Sequence, residues 1–114
     1  MASVETRAQS LLPLTPAVFH LLLALAEGPL HGYAIAKAVA DHSDNSVRLG
    51  PGTLYGTLTR MADSGLVREH SADDRRRVYE LTPLGRAVAK AEARRLSQLV
   101  IVARRKSLLS RPGK

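Results

Sequence analysis

Residues 50–86 read GPGTLYGTLTRMADSGLVREHSADDRRRVYELTPLGR, and the punctuation of this stretch decides the fold. Gly50-Pro51-Gly52 turns the chain and starts a helix with Pro51 near its first position, where a missing N–H is no loss. Leu54, Leu58 and Met61 recur at helical spacing and form the core face of that helix. Thr53, Thr57, Arg60 and Ser64 fall elsewhere on it, giving an outer surface rich in hydroxyls and charged only at Arg60 and Asp63. Gly65 closes the helix. Leu66–His70 and Val78–Leu81 then read as two short strands around the polar link Ser71–Arg77, a hairpin whose tip carries Arg75, Arg76 and Arg77. Leu81-Thr82-Pro83 sets a Thr N-cap before a Pro at the first helical position and opens a last helix.

Upstream, Leu14-Thr15-Pro16 repeats that device and opens a helix to about Glu27, with Val18, Leu21, Leu22 and Leu25 on its core face. Gly28-Pro29 stops it. A second helix spans His31 to about Ser43, with Ile35, Ala38 and Val39 as a shorter apolar stripe. Val47-Arg48-Leu49 supports a stub of strand at most. Three helices, a hairpin and a closing helix describe a mostly α winged helix–turn–helix with a small β-hairpin wing. The expected division is an N-terminal arm over 1–13, the winged domain over 14–82 and a C-terminal dimerisation helix over 83–111.

That last helix meets no breaker until Pro112. Some 25 residues at 1.5 Å per residue make about 37 Å, more than so small a domain needs. Leu99, Val100, Ile101 and Val102 follow one another, so apolar groups face every direction, and a second copy of the chain is the economical cover. Ala89, Ala93, Leu96, Val100 and Ala103 approximate a heptad seam. Leu96, Leu99, Val100 and Ala103 are the expected dimer interface. Arg104, Arg105 and Lys106 read as exposed charge flanking it.

At 114 residues the chain is one compact domain with ordinary globular composition. It has no Cys, which removes disulfides, thiolate nucleophiles and Cys-ligated metals and fits a reducing, cytoplasmic home. The apolar run Leu21–Ala26 is too short to span a membrane, and Glu5, Pro13, Pro16 and His20 spoil a signal-peptide pattern. Charge is sharply divided: residues 1–74 hold 5 basic and 8 acidic side chains, residues 75–114 hold 12 and 2. Such asymmetry suggests a polyanionic partner, most often nucleic acid.

Catalysis has little to stand on. Asp41-His42-Ser43-Asp44 contains triad residue types, but sequence neighbours at a helix end cannot adopt nucleophile–base–orienter geometry. His20, His31, His42 and His70 lack metal-ligand spacing, so no metal or other cofactor is expected, and metal sensing is a minor alternative. The chain therefore reads as a binding protein, not an enzyme. Double-stranded DNA fits the layout. The third helix suits the major groove, where Thr53, Tyr55, Thr57 and Arg60 can meet base edges or phosphates. Arg75, Arg76 and Arg77 can straddle a backbone or enter a narrow minor groove. Tyr33 reads as a packing residue with a wet hydroxyl, whereas Tyr55 is open between packing and contact.

His31-Gly32-Tyr33, Gly50-Pro51-Gly52-Thr53-Leu54-Tyr55, Gly65-Leu66-Val67 and Arg76-Arg77-Val78-Tyr79-Glu80-Leu81-Thr82 with Gly85 together resemble the PadR family of bacterial transcriptional regulators over about residues 14–86. The resemblance implies a homodimeric, winged-helix DNA-binding protein, usually a repressor released by a small-molecule effector. A single C-terminal helix looks like the short subgroup, in which that helix makes the dimer. The chain has no Trp, so the Trp-stacked drug pocket of some short relatives is not carried over. MarR-type regulators share an Arg-rich wing before Leu-Thr-Pro but devote more chain to dimer helices. The alternative of another class is a winged-helix protein-interaction module that does not bind specific DNA.

Overall fold

A computed structural model describes residues 3–73 and 76–110. Ser3 caps a short helix, α1 (Val4–Ser10), its Oγ accepting from the Thr6 N–H at 3.0 Å. Residues 4–10 are thus helical where the sequence suggests only a polar arm. Buried Ala8 lets α1 lie along the last helix, a tertiary contact that local polarity does not announce.

Thr15 and Pro16 start α2 (Pro16–Ala24) as the sequence requires, Thr15 Oγ1 accepting from the Val18 N–H at 3.3 Å. The helix ends at Ala24, short of Glu27, because Leu25 is its C-cap and the chain is already turning through Gly28 at φ +152°. Two residues, β1 (Leu30–His31), then add an edge strand too short for any alternation to show in the sequence. Helix α3 (Gly32–His42) follows directly. Val47–Leu49 forms no strand.

Helix α4 (Pro51–Asp63) leads into β2 (Val67–Asp73) and β3 (Arg76–Leu81). Both strands are longer than the alternation alone suggests. The sheet is antiparallel in the order β1-β3-β2, with Leu30 opposite Tyr79 and Val67 opposite Leu81, so β3 is held on both sides at its base. The ladder shifts register between Ser71 and Asp73, toward the tip.

Helix α5 (Pro83–Arg105) is anchored by Thr82, whose Oγ1 accepts from the Gly85 N–H at 3.0 Å and donates to the Gly65 carbonyl at 2.5 Å. A Cβ on Gly85 would run into the Leu66 carbonyl, so only glycine lets the helix start so close to the end of α4. At its other end α5 stops at Arg105, short of residue 111. Ser107 takes φ +64°, its N–H reaches the Arg104 carbonyl at 3.0 Å, and Leu108 N–H reaches the Ala103 carbonyl at 2.9 Å. That double bond is a Schellman stop built without the glycine that would signal it.

The core is shared by every long element. Leu21, Leu22 and Leu25 of the α2 segment meet Ile35 and Val39 of α3, Leu54, Leu58 and Met61 of α4, Tyr79 of β3 and Val88 of α5. At about 1.5–3 kcal/mol per fully buried large apolar side chain, this cluster outweighs the contribution of any single cap.

Candidate nucleic-acid interface

Helix α4 shows one face to the core and another to solvent, as its 3.6-residue period dictates. Thr53, Tyr55, Thr59 and Arg60 are on the open face. Thr57 is not: it is 2% exposed and belongs to the buried stripe with Leu54, Leu58 and Met61. This corrects its expected place beside Thr53. Residues 54, 57, 58 and 61 are one another's neighbours at helical spacings of three and four, so the core stripe is one position wider than the leucines alone suggest. Thr57 has a different use. Its Oγ1 accepts from the Arg60 guanidinium at 3.2 Å, which holds Arg60 against the helix at a fixed place on the open face.

Tyr55 is 40% exposed and covers Gly32, where a Cβ would collide with its ring and hydroxyl. Helices α3 and α4 therefore meet with the Tyr55 ring on the Gly32 backbone, and a side chain at position 32 would push that ring aside. Tyr33, next in the chain, is 76% exposed and packs against little, contrary to its reading as a packing residue. The open face of α4 thus carries one tyrosine, two threonines and a held arginine, and the N-termini of α3 and α4 both lack side-chain caps. Unpaired N–H groups at such ends suit phosphate oxygens.

The wing adds charge of both signs. Arg68 Nε lies 3.1 Å from Glu80 Oε1, directly across the ladder, with His70 Nε2 3.8 Å from the same oxygen. Arg77 Nε stands 3.9 Å from Glu69 Oε1 in an exposed pair, an arrangement worth well under about 1 kcal/mol. Its guanidinium is therefore cheap to redirect toward a phosphate. At the base of the same face, burial and the neighbouring Glu69 push the Tyr79 phenol pKa up, so it stays a neutral hydrogen-bonding group. Arg76 lies in β3 opposite Asp73. Arg75 lies outside the described residues.

Leu96 and Ala103 of α5 are half-buried, while Leu99, Val100 and Ile101 are exposed, Leu99 by 52%. The apolar surface of the C-terminal half is therefore present as expected and uncovered by its own chain. The near half holds a group that sequence reasoning missed. Glu92 is 2% exposed, and its carboxylate accepts from the Leu14 N–H at 2.9 Å and from Arg95 Nε at 2.5 Å and its second guanidinium nitrogen at 3.1 Å. The Arg95 bonds, helped by Leu14 against the cost of burial, hold its pKa below the ordinary range. The Glu92/Arg95 spacing was the one visible signal. Arg86, one turn into α5, donates to the Ala26 carbonyl at 3.2 Å and closes the exposed end of the α2 segment.

Among the described residues no group of three or more His, Asp or Glu side chains is placed to hold a metal ion. No helix among them is long and apolar enough to cross a membrane.

Residues 21–91 match the model of the Transcriptional regulator PadR-like family, well over half of the chain. The chain belongs to the PadR-like family. Its PadR-like segment is 47% identical over 79 residues to an uncharacterized 37.1 kDa protein in transposon TN4556 of Streptomyces fradiae, covering 69% of this chain and 22% of that protein. It is 40% identical over 83 residues to Transcriptional regulator Rv3488 of Mycobacterium tuberculosis, covering 70% of this chain and 75% of that one. A PadR family transcription regulator from Clostridium difficile R20291 shares the fold, with a TM-score of 0.68 at 24% identity over 77% of this chain and 94% of that one. The PadR-like family is one of transcriptional regulators, not enzymes, and the architecture here is its winged helix.

Proposed function

We propose that this PadR-like chain is a homodimeric, sequence-specific DNA-binding protein of the cytoplasm that represses transcription until an effector binds. The observation that carries the DNA part is the open face of α4. Thr53, Tyr55 and an Arg60 held by Thr57 share one exposed helix face, and an arginine-bearing wing follows in β2 and β3. A helix of this kind fits the major groove, and Arg60 suits a bidentate contact to guanine or to phosphate. Arg75, Arg76 and Arg77 take the wing role and Thr53, Tyr55 and Arg60 the groove role. Thr57 acts through Arg60 and not on DNA.

Dimerisation is supported by the uncovered Leu99, Val100 and Ile101 on a helix that runs past its own core. A twofold pair of winged domains matches two half-sites about one helical turn apart. Release by an effector is supported by an apolar cleft of about 220 Å³ between the α1–α2 linker and α4, in which Leu11, Leu14, Val18 and Met61 meet Arg60. A ligand there touches the same arginine that DNA needs.

The test is a titration of the purified protein onto its own upstream DNA and onto a scrambled duplex at two salt concentrations, with Arg60→Ala alongside. Preference for the upstream duplex is expected, with a log–log salt slope of roughly −4 to −5 if about five phosphates are engaged. Arg60→Ala is expected to weaken specific binding roughly tenfold or more, about 1.4 kcal/mol, with the thermal midpoint unchanged. Equal, salt-insensitive failure on both duplexes would sink the DNA reading and favour a protein partner.

A further inference from the structure

His20, in the middle of α2, and His42, the last residue of α3, are brought together by the fold although 22 positions apart. His20 Nδ1 and His42 Nε2 are 2.8 Å apart, the ring centroids 5.0 Å apart and the ring planes inclined by 12°. The centroid separation exceeds the N···N distance by about one ring width, so both nitrogens lie near the line between the centroids. The imidazoles meet edge to edge in a common plane, not face to face. A nitrogen lone pair lies in its ring plane, so this is the geometry of an N–H···N hydrogen bond with a single proton between the rings.

A metal ion does not fit that axis. Metal–nitrogen bonds of about 2.0–2.1 Å at a tetrahedral angle would hold the two nitrogens roughly 3.3 Å apart, wider than the 2.8 Å seen. No third ligand stands by among the described residues.

We propose that His20 and His42 form a proton-sharing clasp that ties the end of α3 to α2 and opens when both rings become charged. The neutral pair is bridged by one N–H. A first added proton leaves an imidazolium donating to a neutral ring, a stronger charge-assisted bond. A second leaves two N–H groups, each on a cation, facing across 2.8 Å, and the bond is lost.

The surroundings leave the pair to itself. The segment PAVFHLLLA of α2 carries no charge but His20. On α3, Lys37 and Asp41 are not one turn from His42, and Asp41 and Asp44 are exposed. From α4 come Arg60, bonded to Thr57, and Asp63. From α5 come Arg86, bonded to the Ala26 carbonyl, and Glu92, bonded to Leu14 and Arg95. Partial burial, and after it the neighbouring His20, lower the pKa of His42, which stands at the surface.

What opens is the approach to the recognition helix. Directly after His42, Asp44 and Asn45 take φ +54° and +64°, and the turn is held by Asn45 N–H to the Ala40 carbonyl at 2.7 Å and Val47 N–H to Ser43 Oγ at 3.1 Å. Freeing the end of α3 loosens these bonds and with them the link to α4.

Side-chain NMR of the histidines in the full chain from pH 8 to 5 tests this. The expected result is two coupled steps, each ring sensing the other's titration. In His20→Phe, a somewhat larger ring without either nitrogen, the share of the His42 lowering that comes from its neighbour should be lost and His42 should titrate in a single step. Amide exchange protection over 43–47, compared at matched intrinsic rates, should drop in wild type below that range. That drop should be lost as a pH effect in His20→Phe and in His42→Ala. Two independent, ordinary titrations indifferent to the other residue would overturn the clasp. So would a titration with zinc chloride in which one ion per chain shifts both rings at micromolar concentration, because it would make the pair a chelate. Neither readout involves DNA, so the clasp and the DNA reading fail separately.

Discussion

The two halves of α5 are the same helix with opposite fates. From Pro83 to Glu92 the apolar positions Leu84, Val88 and Ala91 are buried, and even the carboxylate of Glu92 is taken out of water with its partners in place. From Leu96 onward Leu99, Val100 and Ile101 stand exposed. Helix propensity and hydrophobic content do not separate the halves; available cover does. α1, α2 and β3 pack on α5, and its buried residues fall in the near half, whereas Leu99, Val100 and Ile101 of the far half are left exposed. Three neighbouring large apolar residues in water are a cost unless something covers them, and the proposed cover is a second copy of the chain.

Substitutions sharpen the contrast because the same kind of change should be read out by different measurements in the two halves. Gly85→Ala puts a methyl into the Leu66 carbonyl, where backbone cannot give way cheaply. We expect the largest effect here, a loss of about 3 kcal/mol at the upper end of overpacking costs, measured by urea unfolding at fixed protein concentration. Leu99→Asp should leave the monomer's fold and circular dichroism alone, since surface changes cost about 0.5 kcal/mol or less. It should raise the dimer dissociation constant roughly 100-fold, about 2.7 kcal/mol, in sedimentation. If Leu99→Asp instead unfolds the chain without changing self-association, the far half is covered from within and the contrast collapses.

The fold was legible where the chain punctuates itself. Thr15-Pro16, Gly50-Pro51 and Thr82-Pro83 start helices where the sequence predicts, because a cap and a missing N–H act within a few residues. The open face of α4 was legible too, apart from Thr57, since period alone does not say how wide a buried stripe runs. What stayed hidden depends on partners distant in sequence: β1 exists only because β3 is beside it, and α1 only because Ala8 meets α5. Glu92 and the His20–His42 pair are of the same kind, polar groups whose meaning comes from Leu14 and from a residue 22 positions away. The stop of α5 at Ser107 was invisible for another reason, a left-handed turn made by a residue that rarely makes one.

Glu92 marks the boundary between the halves, and acid should reveal it. The Arg95 bonds hold its pKa in the folded chain below the ordinary carboxylate value of 4.5. An acid with a depressed folded pKa contributes stability that is fully present above its unfolded value and is lost as pH falls toward the folded one. The thermal midpoint should therefore drop as pH falls below 4.5, and Glu92→Gln, which cannot titrate, should show a shallower drop over that range. Parallel curves for the two proteins would mean that the ionised Glu92 carboxylate adds nothing to stability over that range.

The smallest expected effect lies at the far end. Ser107 holds φ +64°, a conformation that glycine adopts freely and serine does not, while its N–H and that of Leu108 complete the stop. Ser107→Gly removes the steric penalty at the price of more freedom in the unfolded chain, so the net gain is about 0.5–1 kcal/mol at most. The gain is realised only if the last turn of α5 is formed in the state that unfolds. In the proposed dimer, where a second copy would cover the exposed apolar stretch, the helix end is held and the thermal midpoint should rise by a few degrees. In Leu99→Asp the last turn has no partner and frays, so the same substitution should add nothing measurable there. A double-mutant cycle between positions 99 and 107 thus reads the cover directly: a stabilisation by Ser107→Gly that survives in full on the Leu99→Asp background would show that the far half is rigid by itself.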